Sequence, residues 1–183
     1  MAKKKRPVSE REEVVVKFVG DSGDGMQLIG SMFSDVAALD GNDLATFPDF
    51  PAEIRAPQNT VAGVSGFQVH VGSKKIFTTG DLVDVLVAMN PASLKANLKW
   101  AKTGATIITD TDAYDVKSVE KAGYKQDPLL DNTLEKYNIV KAPITTLTKE
   151  SLKDLKIDNK TAERSKNMFA LGMIYYIFNR DLK

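Results

Sequence analysis

Residues 14–19 (VVVKFV) form a short, largely β-branched run that stops at Gly20 and passes into Gly20-Asp21-Ser22-Gly23-Asp24-Gly25. A run of that kind suits a strand covered on both faces, which is the habit of parallel sheets in α/β domains. Beyond the glycines, Ile29, Met32, Phe33, Val36 and Ala37 recur at spacings of three and four. That is a helix face, and Gly41 stands where a C′ glycine would end it. The chain therefore opens strand, glycine turn, helix, and few architectures accept such an opening.

The remainder repeats the theme. Residues 83–89 (VDVLVAM) read as a second buried strand closed by Asn90-Pro91. Asparagine at an N-cap accepts an orphan N–H, and proline at N1 has none to orphan, so a helix starts there. Leu94, Leu98 and Ala101 mark its inner face and Gly104 its end. Residues 105–109 (ATIIT) give a third buried strand ending at Asp110, residues 137–142 a weaker fourth, and residues 147–155 a short helix. Residues 162–178 are helical and apolar nearly all round, as in a core helix or one side of an interface. Pro48, Pro51 and Pro57 make residues 42–60 read as an ordered loop. Phe67, Val69 and Val71 alternate with Gln68 and His70, and Gly72-Ser73 turns into Lys75-Ile76-Phe77, an expected antiparallel hairpin with one wet face. The expected fold is α/β: a largely parallel twisted sheet with helices on both faces and an antiparallel hairpin addition.

The 183 residues suit one domain over 14–183, after a disordered basic tail over 1–13 that carries Lys3, Lys4, Lys5 and Arg6. Lys+Arg 25 against Asp+Glu 24 argues against a nucleic-acid binder. With no cysteine, the chain ligates no iron–sulfur cluster or thiolate zinc and forms no disulfide. No apolar run is long enough to span a membrane and none follows the basic tip as in a secretory signal, so a cytoplasmic protein is expected.

In such a sheet, ligands sit beyond the carboxyl ends of the strands. The first strand delivers Asp21, Ser22 and Asp24 there, the second Asn90, the third Asp110 and Asp112. The glycine spacing is G-x-x-G-x-G, neither the dinucleotide fingerprint nor a P-loop. It could point backbone N–H groups at an anion, or simply make a tight turn with Asp24 capping the helix. Asp43, Asp49 and Glu53 match no metal pattern with Asp21 and Asp24, so no metal site is expected. Arg55 is either an anion or partner contact or a surface mate for Glu53. His70 reads as an outward strand residue, Ser22 lacks an activating base, and Trp100, Tyr175 and Tyr176 read as packing residues, so no catalytic residue is assigned.

GDSGDGMQLIGSMFSD (20–35), NDLATFPDFPAEIRAPQ (42–58), VSGFQVHVGS (64–73), DVLVAMNPASLKANL (84–98) and RSKNMFALGMIYYIFNR (164–180) together resemble the gamma domain of 2-oxoacid:ferredoxin oxidoreductases. The likeness is greatest to the form fused at the front of the alpha subunit of the 2-oxoglutarate enzymes. Separate gamma subunits carry G-x-G-G-Q-G and P-E-x-R-G-G, whereas this chain has Ser22 and Asp24 in the first motif and Ala52-Glu53-Ile54-Arg55-Ala56-Pro57 at the second. The resemblance implies a supporting role in coenzyme A-dependent oxidative decarboxylation, with thiamine diphosphate, magnesium and [4Fe–4S] clusters held by partner alpha/beta subunits and electrons passed to ferredoxin. This chain would bind none of those cofactors tightly, would share coenzyme A at most, and would be inactive alone. Gly20, Asp21, Ser22, Gly23, Asp24, Gly25, Glu53, Arg55 and Asn90 are the implied ligand or partner contacts. Two other readings remain: a stand-alone nucleotide- or dinucleotide-binding protein, and a pure assembly module. A homodimer is also left open.

Overall fold

A computed structural model describes residues 10–50 and 63–180. The element order is β1 (Glu13–Asp21), α1 (Met26–Leu39), β2 (Asp43–Asp49), β3 (Val64–Gly72), β4 (Val83–Ala88), α2 (Pro91–Asn97), β5 (Ala101–Asp110), α3 (Val116–Lys121), β6 (Asn138–Ala142), α4 (Ile144–Leu152), α5 (Asn159–Arg164) and α6 (Lys166–Ile177). All six strands form one sheet in the order β2-β3-β1-β4-β5-β6. Only β3 runs against its neighbours: it pairs antiparallel with both β1 and β2, while β1, β4, β5 and β6 pair in parallel.

Two apolar layers cover the sheet. On one face Phe18, Val69, Val87 and Ile108 pack with Ile29 and Phe33 of α1, Ile144 of α4 and Ala170 and Ile174 of α6. On the other, Val15, Val19, Leu86 and Ile107 pack with Leu94 of α2, Leu129 and Leu134. Burying a large aliphatic or aromatic side chain contributes about 1.5–3 kcal/mol. These layers hold the domain together. Within the buried run of β1, Lys17 is the exception, and its Nζ lies 3.3 Å from Asp49 Oδ2 on β2.

Several expectations are corrected. The segment expected as a loop begins with β2, because an edge strand tolerates Pro48 where a central strand would not. The residues after Gly72 do not return as a hairpin strand. They cross over β3, where Gln68 Nε2 donates to the carbonyls of Thr79 and Gly80 and His70 Nδ1 meets the Thr78 carbonyl at 2.7 Å. His70 is thereby buried, not outward, with Nε2 3.3 Å from Glu13 Oε2. Ala101 and Gly104 belong to β5, not to the preceding helix, and Gly104 takes its positive φ inside the strand. The final helix is two, α5 and α6, parted at Ser165. Of the aromatics expected to pack, Tyr175 does, stacking on Phe33, whereas Trp100 and Tyr176 are exposed.

Candidate functional site

β1 continues through Gly20 and Asp21, so the turn proper is shorter than the glycine motif. Its backbone is closed on itself. The Asp24 amide donates to the Asp21 carbonyl at 3.0 Å, the Asp21 amide donates to Asp24 Oδ2 at 2.9 Å, and the Ser22 amide donates to the Gly63 carbonyl at 3.1 Å. Gly23 and Gly25 sit at φ 129° and 74°, a region that side-chain-bearing residues enter at a cost. Gly25 is the N-cap of α1 and no side chain caps that helix, so Asp24 does not play the capping role expected of it. Asp24 instead staples the turn and pairs with Lys166 Nζ at 3.0 Å, joining β1 to the start of α6.

Asn90 closes the other side. Its Oδ1 accepts from the Ser93 amide at 2.8 Å, completing a capping box for α2, and its Nδ2 donates to Asp21 Oδ1 at 2.9 Å. Gly20, Asp21, Ser22, Gly23, Asp24, Gly25 and Asn90 thus converge at one carboxyl edge of the sheet. Glu53 and Arg55 lie outside the described residues.

The acids at the end of β5 do not join them. Asp110 is fully buried, accepting from the Thr145 amide at 3.3 Å, the Thr145 hydroxyl at 2.6 Å and the Asp112 amide at 3.1 Å. Asp112 Oδ2 accepts from the Thr146 amide at 2.7 Å. Both carboxylates are consumed in docking the first turn of α4, whose orphan N–H groups need acceptors.

Beside the turn lies a notch of about 270 Å³ lined by Gly23, Asp24, Lys160, Glu163, Arg164 and Lys166. Asp24 holds Lys166, and Glu163 holds Lys149 at 3.0 Å. Asp158, the N-cap of α5, is held below the usual carboxylate range by the Thr161 hydroxyl and amide, so it stays ionised on its own helix. Among the described residues, the Lys160 and Arg164 side chains meet no carboxylate. Asp24 is neutralised by Lys166, Asp21 accepts only from the neutral Asn90 amide, and among the described residues Lys160 and Arg164 leave two cations at the rim whose chemistry suits an oxyanion. Sequence reasoning missed these residues. The i, i+4 spacing of Lys160 and Arg164 was visible, but their proximity to a turn more than a hundred positions away was not.

A larger open cleft, about 1010 Å³, lies at the opposite edge of the sheet, lined in part by Val14, Asn42, Asp84, Lys102, Gly104 and Asn138. Its central acid is already spent: Asp84 accepts from the Val15 amide, Lys102 and Arg11. We therefore place the candidate site at the carboxyl edge.

A family model described as pyruvate ferredoxin/flavodoxin oxidoreductase matches residues 15–182. The chain is 46% identical over 172 residues to the 2-oxoglutarate oxidoreductase subunit KorA of Mycobacterium tuberculosis, covering 94% of this chain and 26% of that protein. It is also similar to the 2-oxoglutarate:ferredoxin oxidoreductase of Magnetococcus marinus, a structure with 2-oxoglutarate, coenzyme A and succinyl-CoA bound. The TM-score there is 0.65 at 26% identity, over 91% of this chain and 24% of that one. A keto/oxoacid ferredoxin oxidoreductase gamma subunit from Geobacter sulfurreducens shares the fold, with a TM-score of 0.61 at 18% identity over 91% of this chain and 78% of that one. The chain spans about a quarter of the length of the first two relatives. With a family model matched from the first strand to past the last helix, this chain belongs to the pyruvate ferredoxin/flavodoxin oxidoreductase family.

Proposed function

We propose that this chain is the gamma-type domain of a 2-oxoacid:ferredoxin oxidoreductase acting on 2-oxoglutarate. It works in the cytoplasm, assembled with thiamine diphosphate-binding polypeptide that carries out the chemistry. The observation that carries this reading is the 46% identity to KorA across nearly the whole chain.

Among the described residues, no three of His, Cys, Asp or Glu converge as metal ligands, and the chain has no cysteine. Among the described residues nothing fits magnesium, a chain without cysteine offers no thiolate to an iron–sulfur cluster, and no step is assigned to either. The fit is better for the phosphorylated end of coenzyme A, which supplies the thiol that accepts the acyl group. Lys160 and Arg164 would hold its phosphates, while the Asp24–Lys166 pair and the Asp21–Asn90 bond keep the rim rigid. The expected turn residues then act as the frame and not as the grip. A stand-alone dinucleotide-binding role is disfavoured, because the Asp21 and Asp24 amides are already spent inside the turn and the Ser22 amide on the Gly63 carbonyl.

The test is reconstitution. The purified chain alone should reduce no ferredoxin with 2-oxoglutarate, and activity should appear on adding the thiamine diphosphate-binding polypeptide. In the assembled enzyme, Lys160→Ala with Arg164→Ala should raise the KM for coenzyme A by about tenfold, the equivalent of roughly 1.4 kcal/mol. Turnover by the isolated chain would end the proposal. An unchanged KM would leave the domain as an assembly module only.

A further inference from the structure

Helix α1 starts without a cap. Gly25 holds the N-cap position, no side chain accepts from the amides behind it, and the first turn carries no acidic residue. The amides of Met26, Gln27 and Leu28 therefore lack an acceptor among the described residues. At 14 residues α1 carries a full helix dipole, and its positive end lies here.

What does reach the spot is another donor. Asn167, near the start of α6, is 5% exposed, and its Oδ1 accepts from the Met168 amide at 2.9 Å. That bond turns Nδ2 toward Gly25, where it fills the space a Cβ would need. Nδ2 itself meets no acceptor among the described residues. A side chain from α6 thus stands where a capping side chain would stand, yet it presents an N–H in place of an oxygen. The start of α1 gathers three backbone donors and one side-chain donor with no acceptor. Met26 is 1% exposed, so burial withholds bulk water, and buried donors left without acceptors carry a free-energy penalty. An anion supplies what is missing.

We propose that the start of α1, with Asn167 as its side-chain donor, is an oxyanion site separate from the Lys160 and Arg164 notch. Its donors are all neutral. Asp24 and Asp21 stand in the adjoining turn, and among the described residues Asp21 has no cation of its own. That balance favours a singly charged oxyanion, a carboxylate or a phosphate diester, over a dianion. The site uses this chain's own groups and stands whether or not the domain serves a coenzyme A enzyme.

The test is amide NMR of the full chain, titrated with dimethyl phosphate at constant ionic strength. The Met26, Gln27 and Leu28 amides and the Asn167 side-chain amide should shift together on one saturating curve, and sulfate should bind more weakly. Asn167→Asp exchanges the donor for an acceptor of the same shape. Affinity should fall by about tenfold, as on losing a hydrogen bond to a charged group, while the melting temperature holds or rises because a carboxylate now caps α1. Asn167→Ala removes the donor without adding charge, should also weaken binding, and serves if the aspartate variant folds poorly. No saturating response in the wild type, unchanged affinity in both variants, or tighter binding of sulfate would overturn the proposal. Lys160→Ala with Arg164→Ala should keep the response, and its loss there would assign the anion to the notch and overturn the proposal too. Displacement of the probe by coenzyme A would name a phosphate diester as the source, and displacement by 2-oxoglutarate a carboxylate. Displacement by neither would contradict an oxyanion site.

Discussion

The ends of β1 and β5 look alike on paper, each delivering two aspartates to the same edge of one sheet, yet they do opposite things. Asp110 is buried completely and saturated by the first turn of α4. Asp24 is bound by its own turn and by Lys166, and the helix junction that supplies Lys166 also brings Lys160 and Arg164 to the rim. A strand end becomes a site through the polar groups left unspent around it, not through the acids it carries. The β5 end is closed and structural. The β1 end is braced but open.

That contrast can be broken experimentally. The largest effect should come from Gly25→Val, which forces a β-branched residue to φ 74° with its Cβ 2.2 Å from Asn167 Nδ2. Strain and overpacking together should cost about 3–4 kcal/mol, read from urea unfolding. This substitution is therefore a probe of the fold, and it cannot by itself report on the assembled enzyme. Asp110→Ala should follow at about 2 kcal/mol, because it strands the half-buried Thr145 amide and hydroxyl and empties a fully buried position. A loss under about 0.5 kcal/mol would mean that the β5 end is not the structural one. Asp24→Asn keeps an acceptor for the Asp21 amide but leaves Lys166 unpaired, with an expected loss of about 1 kcal/mol. The Lys160→Ala, Arg164→Ala pair should change stability by less than about 0.5 kcal/mol, as groups with no internal partner do. Destabilisation beyond that would show the two cations to be bracing as well, and the distinction between the two strand ends would collapse.

The opening strand, turn and helix were legible because a β-branched run and a three-four apolar spacing are local signals, and residues 13–39 follow them closely. Asn90-Pro91 announced its capping box for the same reason. β2 was obscured by Pro48, whose cost disappears only when a strand has one neighbour, a fact about sheet order. The alternation of β3 by itself implies one wet face. What it could not contain is that residues 78–80 fold over Gln68 and His70 and take their hydrogen bonds. Of the site, the turn residues and Asn90 were found, whereas Lys160 and Arg164 were not, since nothing local ties α5 to β1.

By itself, the order of residues determined the class of fold, the glycine turn at the end of the first strand and the absence of any thiol chemistry, because each depends on neighbours within a few positions or on composition alone. The tertiary structure decided which charges are spent and which are free, and that Gly30 of α1 lies against the Phe67 ring. Those outcomes depend on distance in space: Asp24 meets Lys166 and Gly30 meets Phe67 only after the sheet and its helices have closed.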